Sequence, residues 1–198
     1  FLKKRGKRIT SSPIKGTIRR GQNEEEDAAL AHQLYHDTKE RAENVMICDL
    51  VRNDLSKIAA PGTVSVPELF GIHRFQTVHQ MISSVQCDIA DGVEISDIIK
   101  ATFPMGSMTG APKIRAMQLI DELEGTRRGI YSGSVCCIQP NGDFDMNVVI
   151  RSIACNRRTK RISMQVGGAI TALSDPDREY EECLLKAEAM METLNGHA

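Results

Sequence analysis

The stretch VSVPELFGIHRFQTVHQMISSVQCDI, residues 64–89, decides how the chain folds. It is rich in Val, Ile, Phe and Thr, and apolar and polar side chains alternate from Phe75 to Val85. That is the pattern of a strand with one buried face. Pro67 and Gly71 interrupt the first half, so the stretch reads as strands broken at those positions. Upstream, KKRGKR (3–8) centres on Gly6 between apolar pairs and reads as a solvated hairpin turn; residues 9–18 follow as strand and turn. Downstream, YSGSVCCIQPNGDFDMNVVIRSIACN (131–156) reads as two strands joined at PNGD. RISMQVGGAI (161–170) is a further strand ending in a double glycine.

Helical signals separate these strands. In NEEEDAALAHQLYHDTKERAEN (23–44), Leu30, Ala31 and Leu34 fall at helical spacing, and Asn23 with Glu26 forms a capping-box pattern. The acidic run 24–27 suits a helix N-terminus. The helix is expected to end near Asn44, with VMICDLV (45–51) as a buried strand and 52–63 as a loop. SDIIKATF (96–103) is a short helix. KIRAMQLIDELE (113–124) is an amphipathic helix with Ile114, Met117, Leu119 and Ile120 inward. SDPDREYEECLLKAEAMMETL (174–194) is a last helix, with Asp175 as N-cap and Pro176 in the first position. Neighbouring strands with a few long helices give an α+β class, helices outside sheets.

Composition excludes several functions. Net charge is −1, so no global basic field favours nucleic acid, and the basic run 3–8 is satisfied by its hairpin role. No apolar run nears the roughly 18 residues of a membrane helix. The six cysteines form no CxxC pair, which gives a zinc or thioredoxin-like site little support; four of them sit in apolar stretches, where Cys is commonly a small core residue, and this reads as a reducing, cytoplasmic compartment. The chain begins at Phe1 rather than Met, as a fragment of a longer protein would.

Several residues stand out chemically. Lys15 sits in SSPIKGT (11–17), a tight, partly apolar turn, whereas most lysines keep their ammonium in water. Glu40 and Glu43 lie three apart, at the end of the first helix, where the dipole disfavours carboxylates without a cation. A surface pairing with Lys39 or Arg41 and an oxygen-ligated Mg²⁺ both answer this. Glu179 and Glu182 are three apart near the start of the last helix, with Lys186 four further on. GSMTGAPK (106–113) lacks the ending of a phosphate loop, and Thr109 or Ser107 can simply cap the next helix. In VGGAIT (166–171), Gly167 and Gly168 allow close backbone approach to a carboxylate, or form a bend. Arg151, between NVVI and SIAC, reads as a buried strand arginine that requires an anion, internal or bound. His79 in its strand fits a satisfied core residue, and Tyr131 a packed ring with a bonded hydroxyl.

PIKGT (13–17), AENVMICDLVRNDL (42–55), TVHQMISSV (77–85), FPMGSMTGAPKIRAM (103–117), NVVIRSI (147–153) and DPDREYEECLLKA (175–187) occur together in this order. In these segments the chain resembles the chorismate-utilising enzymes over essentially its whole length. The resemblance implies an α+β fold with two packed antiparallel sheets, helices outside and an active-site cleft. It also implies that residues 1–198 are the C-terminal part of the catalytic domain. A general acid in an SPE motif would lie just before the position of Phe1. The lysine of PIKGT is typical of the branch that forms 4-amino-4-deoxychorismate for para-aminobenzoate; alanine is usual in the anthranilate-forming branch. The substrates implied are chorismate and ammonia from a glutamine amidotransferase. By position, Glu43 and Glu182 match Mg²⁺ ligands, with Glu40 and Glu179 nearby, acting through water. Arg151 and Tyr131 match groups that hold the enolpyruvyl carboxylate, and Gly167 and Gly168 approach the same substrate. Thr17, His79 and Lys186 match cleft positions, and Lys15 is the expected nucleophile. GSVCCIQ (133–139) departs from the family pattern, as do VGGAIT and IRS.

Overall fold

In the computed structural model, which describes residues 1–171 and 174–196, the alternating stretch forms the long strand β5 (Val78–Asp88). Its odd-numbered side chains are buried from His79 to Cys87. β4 (Ser65–Arg74) runs antiparallel along one edge of β5. The opposite edge is shared by β3 (Ile14–Arg19), against Val78–Ile82, and β2 (Arg8–Ser11), against Val85–Asp88. β1 (Leu2–Arg5) joins β2 through a two-residue turn in which Gly6 takes φ +56°, the left-handed conformation glycine adopts without steric cost. β7 (Phe144–Val148) and β6 (Ser134–Ile138) extend the sheet beyond β1, giving the order β3-β5-β2-β1-β7-β6 with β4 also on β5. The fold is α+β, with antiparallel sheets and helices, as expected.

Pro67 and Gly71 do not break β4. The register to β5 slips by one residue between Ser65 and Glu68 and again between Glu68 and Gly71. The chain absorbs each interruption as a β-bulge, the second with Phe70 at φ +60°. A bulge frees a residue from the ladder, so Pro67 is tolerated without an N–H to donate.

The single helix expected over 23–44 is two helices, and residues 45–51 are not a strand. α1 (Glu24–His36) starts at Asn23, whose side chain accepts from the Glu26 N–H at 2.9 Å. The glutamate of this capping pattern reaches past Asn23 to the Gln22 N–H, 2.7 Å away. The chain then turns at Asp37, which caps α2 (Thr38–Ser56) by accepting from the Glu40 N–H at 2.9 Å. Residues 45–51 lie inside α2. Its buried positions Asn44, Ile47, Cys48, Asp54 and Leu55 follow helical spacing, which a short apolar run hides. Val45 and Met46 of the same run are exposed.

The core lies between α2, the central strands and α3 (Ile95–Thr102): Leu2, Ile9, Cys48, Leu55, Val85, Cys87, Ile98 and Phe144 pack together. Each large member contributes roughly 1.5–3 kcal/mol by leaving water. A second cluster joins Leu34, Phe70 and Met81 under α1. α4 (Lys113–Leu123) buries none of its residues; Ile114, expected inward, is 69% exposed. Its first residue is anchored instead, the Lys113 ammonium reaching Asp54 at 2.6 Å and the Thr102 carbonyl at 3.0 Å. Thr109 does not cap α4. Its hydroxyl donates to the Met105 carbonyl and closes a 3-10 turn at Gly106–Met108. Of the six cysteines, Cys48 and Cys87 are core residues, Cys136, Cys137 and Cys155 are exposed, and Cys183 is half-buried.

These elements through Gly125, with Cys136–Asn147, form one compact unit. A second unit comprises Thr126–Val135 and Val148 onward. It holds the hairpin of β8 (Ile153–Asn156) and β9 (Arg161–Met164) and the helix α5 (Pro176–Leu194), capped by Asp175 as expected. Arg151 is not a buried strand residue. It is exposed, outside any strand, with φ +48°, because the chain leaves the ladder after Val148.

Asp27 is the charge hub of the first unit. Buried on α1, it accepts a two-pronged pair from Arg20 at 2.7 and 3.0 Å, the Gly21 N–H at 2.8 Å and His79 Nε2 at 2.9 Å. Arg20 first, then the other donors, hold its carboxyl well below the usual 3.8. The folded state therefore binds this proton less readily than the unfolded chain. The stabilisation is complete above about pH 4 and is lost as pH falls through the depressed value. Asp27→Asn should flatten the acid limb of stability against pH and lower the midpoint at pH 7, read by thermal melts from pH 3 to 7.

Candidate active site

Lys15 stands in β3, not in a turn. Opposite it the ladder slips: Ile14 pairs with Ile82 and Thr17 with Gln80, so Lys15 and Gly16 together face Met81. Gly16 completes this bulge with φ +95°, and a Cβ there would lie 3.1 Å from Leu34 and 3.2 Å from Glu40. Bulges re-aim side chains. Here the Lys15 ammonium reaches the Glu43 carboxylate at 3.2 Å, both side chains about three-quarters buried (24% and 22% exposed). The desolvated, apolar setting expected for Lys15 is thus replaced by an ion pair.

Glu40 and Glu43 occupy the first turns of α2, not the end of a helix, because the chain restarts at Asp37. The dipole there favours negative charge. Even so, burial first, and then the neighbouring Glu43 and Asp37, push the Glu40 carboxyl above its usual range; Lys39 and Lys15 offset this in part. Glu40, Glu43 and Asp37 therefore carry more negative charge than Lys15 neutralises. Thr17 is exposed on the same strand. His79 belongs to the Asp27 network, with Nε2 on Asp27 and Nδ1 buried without a partner among the described residues.

The second unit gathers the other candidates. Lys186 on α5 pairs with Glu182 one turn earlier at 2.5 Å and donates to the Gly167 carbonyl at 3.1 Å. A Cβ on Gly168 would sit 2.7 Å from a Glu179 oxygen, and one on Gly167 would sit 3.1 Å from the Tyr131 hydroxyl. The double glycine is what lets Glu179 and Tyr131 come this close. Glu179 also accepts from the Ser174 hydroxyl at 3.0 Å. Tyr131, Gly167, Gly168, Glu179, Glu182 and Lys186 thus form one cluster, while Arg151 lies on its exposed loop.

A family model described as chorismate binding enzyme matches residues 1–192. The chain belongs to this family. Among curated relatives, a probable chloroplastic aminodeoxychorismate synthase of Oryza sativa subsp. japonica is 49% identical over 91% of this chain and 20% of its own length. Aminodeoxychorismate synthase component 1 of Bacillus subtilis is 45% identical over 98% of the chain and 41% of its own. Anthranilate synthase component 1 of Aquifex aeolicus is also 45% identical, over 94% and 37%. The chain therefore spans between a fifth and two fifths of these relatives. Anthranilate synthase component I of Streptococcus pneumoniae superposes with TM-score 0.80 at 34% identity, covering 96% of this chain and 41% of that structure.

A metal of this family would meet hard oxygen donors here. Among the described residues no three His, Cys, Asp or Glu side chains converge as a ready metal cage. The first unit by itself carries the carboxylates Glu40 and Glu43, and the second by itself Glu179 and Glu182, oxygen donors of the kind Mg²⁺ takes. Two residues of the first group escaped the sequence reading. Asp37 has a signal, since Asp37 and Glu40 form a D-x-x-E capping pattern within what looked like continuous helix. Asn44 has none, being one polar residue beside an apolar run.

Charge relief at Glu40 is measurable. Its raised carboxyl costs folding stability once pH exceeds its ordinary value of 4.5. Glu40→Gln should raise the melting midpoint of the metal-free protein at pH 7 and leave it unchanged below pH 4. Magnesium-dependent stabilisation of the same variant should shrink, as thermal melts with and without Mg²⁺ would show.

Proposed function

We propose that this chain is the C-terminal portion of a cytoplasmic enzyme that aminates chorismate to 4-amino-4-deoxychorismate, in the route to para-aminobenzoate and folate. Ammonia would come from a glutamine amidotransferase subunit or domain. The observation that carries the reading is Lys15, a buried-facing amine on a bulge beside Glu43, where the anthranilate branch has alanine. The aminodeoxychorismate synthase relatives support it, and the "component 1" in one of their names fits a partner subunit.

Lys15 Nζ, as the free base, forms a bond to ring C2; the C1–C2 π pair moves to C1–C6, the C5–C6 pair moves to C4–C5, and the C4 hydroxyl departs with the electron pair of its C–O bond. Ammonia then bonds to C4, both π pairs shift back, the C2–Nζ bond breaks with its pair returning to the lysine, and the new ammonium gives up a proton that makes the departed hydroxide water. Glu43 and Glu182 are the residues that would hold Mg²⁺, with Glu40 and Glu179 in support through water. The ion would supply charge neutralisation at the ring carboxylate. An oxygen of Glu43 given to a cation no longer neutralises Lys15. Arg151 and Tyr131 hold the enolpyruvyl carboxylate, and the Gly167 and Gly168 backbone leaves it room. Thr17 and Lys186 complete the contacts; His79, also expected there, spends its Nε2 on Asp27.

A second reading, anthranilate synthase component I, is favoured by the 45% identity to the Aquifex aeolicus protein. The two differ in product and in Lys15. Full-length protein held with chorismate and Mg²⁺ but no ammonia should gain a covalent adduct on Lys15, seen by mass spectrometry. Lys15→Ala should lose at least about 10³-fold in turnover. Chromatographic detection of anthranilate, with Lys15 unmodified, would overturn the proposal in favour of the second reading.

A further inference from the structure

Bulges lie on both edges of β5, and one buried pair of side chains ties the Phe70 bulge of β4 to the Lys15 bulge of β3. On the β4 side, the Phe70 N–H donates to the Ser83 hydroxyl at 3.0 Å. Ser83 in turn donates to the Asn44 side-chain oxygen at 2.5 Å. On the β3 side, the Asn44 amide nitrogen lies 3.4 Å from both the Lys15 and the Met81 carbonyls. Asn44 and Ser83 are each 0% exposed.

The accounting of donors explains the arrangement. An extra residue in a strand leaves ladder carbonyls without their partners. A buried carbonyl left bare costs about 1–3 kcal/mol. The NH₂ group of asparagine has two hydrogens and reaches two carbonyls, one on each strand of the bulge. Its oxygen takes the Ser83 proton, so every polar atom of the pair is used. Asn44 is also the residue after Glu43 on α2. One side chain therefore sets the backbone of Lys15 against the helix turn that carries its counter-ion.

We propose that Asn44 is a positioning residue: it holds the Lys15 bulge in register with Glu43 and so fixes where the amine is presented. The pairing of Lys15 with Glu43 is geometric and stands without chorismate; the catalytic value of that position rests on the function proposed above. Misplacement of a reacting group by 1 Å costs on the order of 10²-fold in rate.

The test separates position from stability. The lysines of the full-length protein are reductively methylated with ¹³C-formaldehyde, which keeps their charge, and the Lys15 resonance is assigned by its loss in Lys15→Arg. Glu43→Gln marks the shift of an unpaired Lys15. Asn44→Ala, or Asn44→Ser if the first is too unstable, should move the resonance most of that way. Ser83→Ala breaks the same network at its other end but spares the amide–carbonyl contacts. It should lower the melting midpoint and leave the resonance in place. A wild-type resonance in the folded Asn44 variants overturns the proposal, and so does an equal displacement in Ser83→Ala. The Asn44 variants should also form the chorismate adduct about 10²-fold more slowly. If the wild type forms no adduct while the resonance moves as expected, the functional reading falls and the positioning role stands.

Discussion

The buried Asn44 amide, which reaches the Lys15 and Met81 carbonyls and accepts from Ser83, is the constraint on which the first unit turns. Both groups are sealed from water, where a polar atom left unpaired is costly and a satisfied pair is rigid. Through it the central strand β5 is registered to the bulged strands on both its edges and to α2 above them. Apolar burial is non-directional and does not name which backbone groups must meet. A directed amide that reaches two named carbonyls does.

What this registration delivers is a charge arrangement. Asp37 restarts the helix, so Glu40 and Glu43 lie in its first turns rather than its last, and the bulge at Gly16 turns Lys15 toward them. The result is two cations, Lys15 and Lys39, among three carboxylates, with the Lys15–Glu43 pair about three-quarters buried. Burial and the crowding of negative charge raise the Glu40 carboxyl. The Asp27 network is the opposite case. There arginines surround one carboxylate, every oxygen is used, and the charge serves the fold.

The cluster in the second unit obeys a simpler rule. Gly167 and Gly168 have no Cβ, so Tyr131 and Glu179 close in on the backbone, and Lys186 spans from Glu182 to the Gly167 carbonyl. The double glycine was readable as a place of close approach. Which side chains approach was not, because they come from helix α5 and from a segment thirty-odd residues upstream in the sequence.

Local signals by themselves determined much of this protein. The Gly6 hairpin, the alternation of β5, the Asn23 and Asp175 caps and the PNGD turn each rest on interactions among a few adjacent residues, and each is found where the pattern put it. Ordered motifs also placed the chain in its family. The errors have a common cause. Residues 45–51 are as apolar as a strand and become helix because their stripe meets the sheet; Pro67 and Gly71 mark bulges because a neighbouring strand keeps β4 continuous. Arg151 leaves the ladder, and α4 keeps its apolar residues exposed. These outcomes depend on partners distant in sequence, which no window reports. Only the tertiary structure decided that Asn44, one amide in an apolar run, would meet the carbonyl of Lys15, since burial and hydrogen bonding are settled by whatever the folded chain brings alongside.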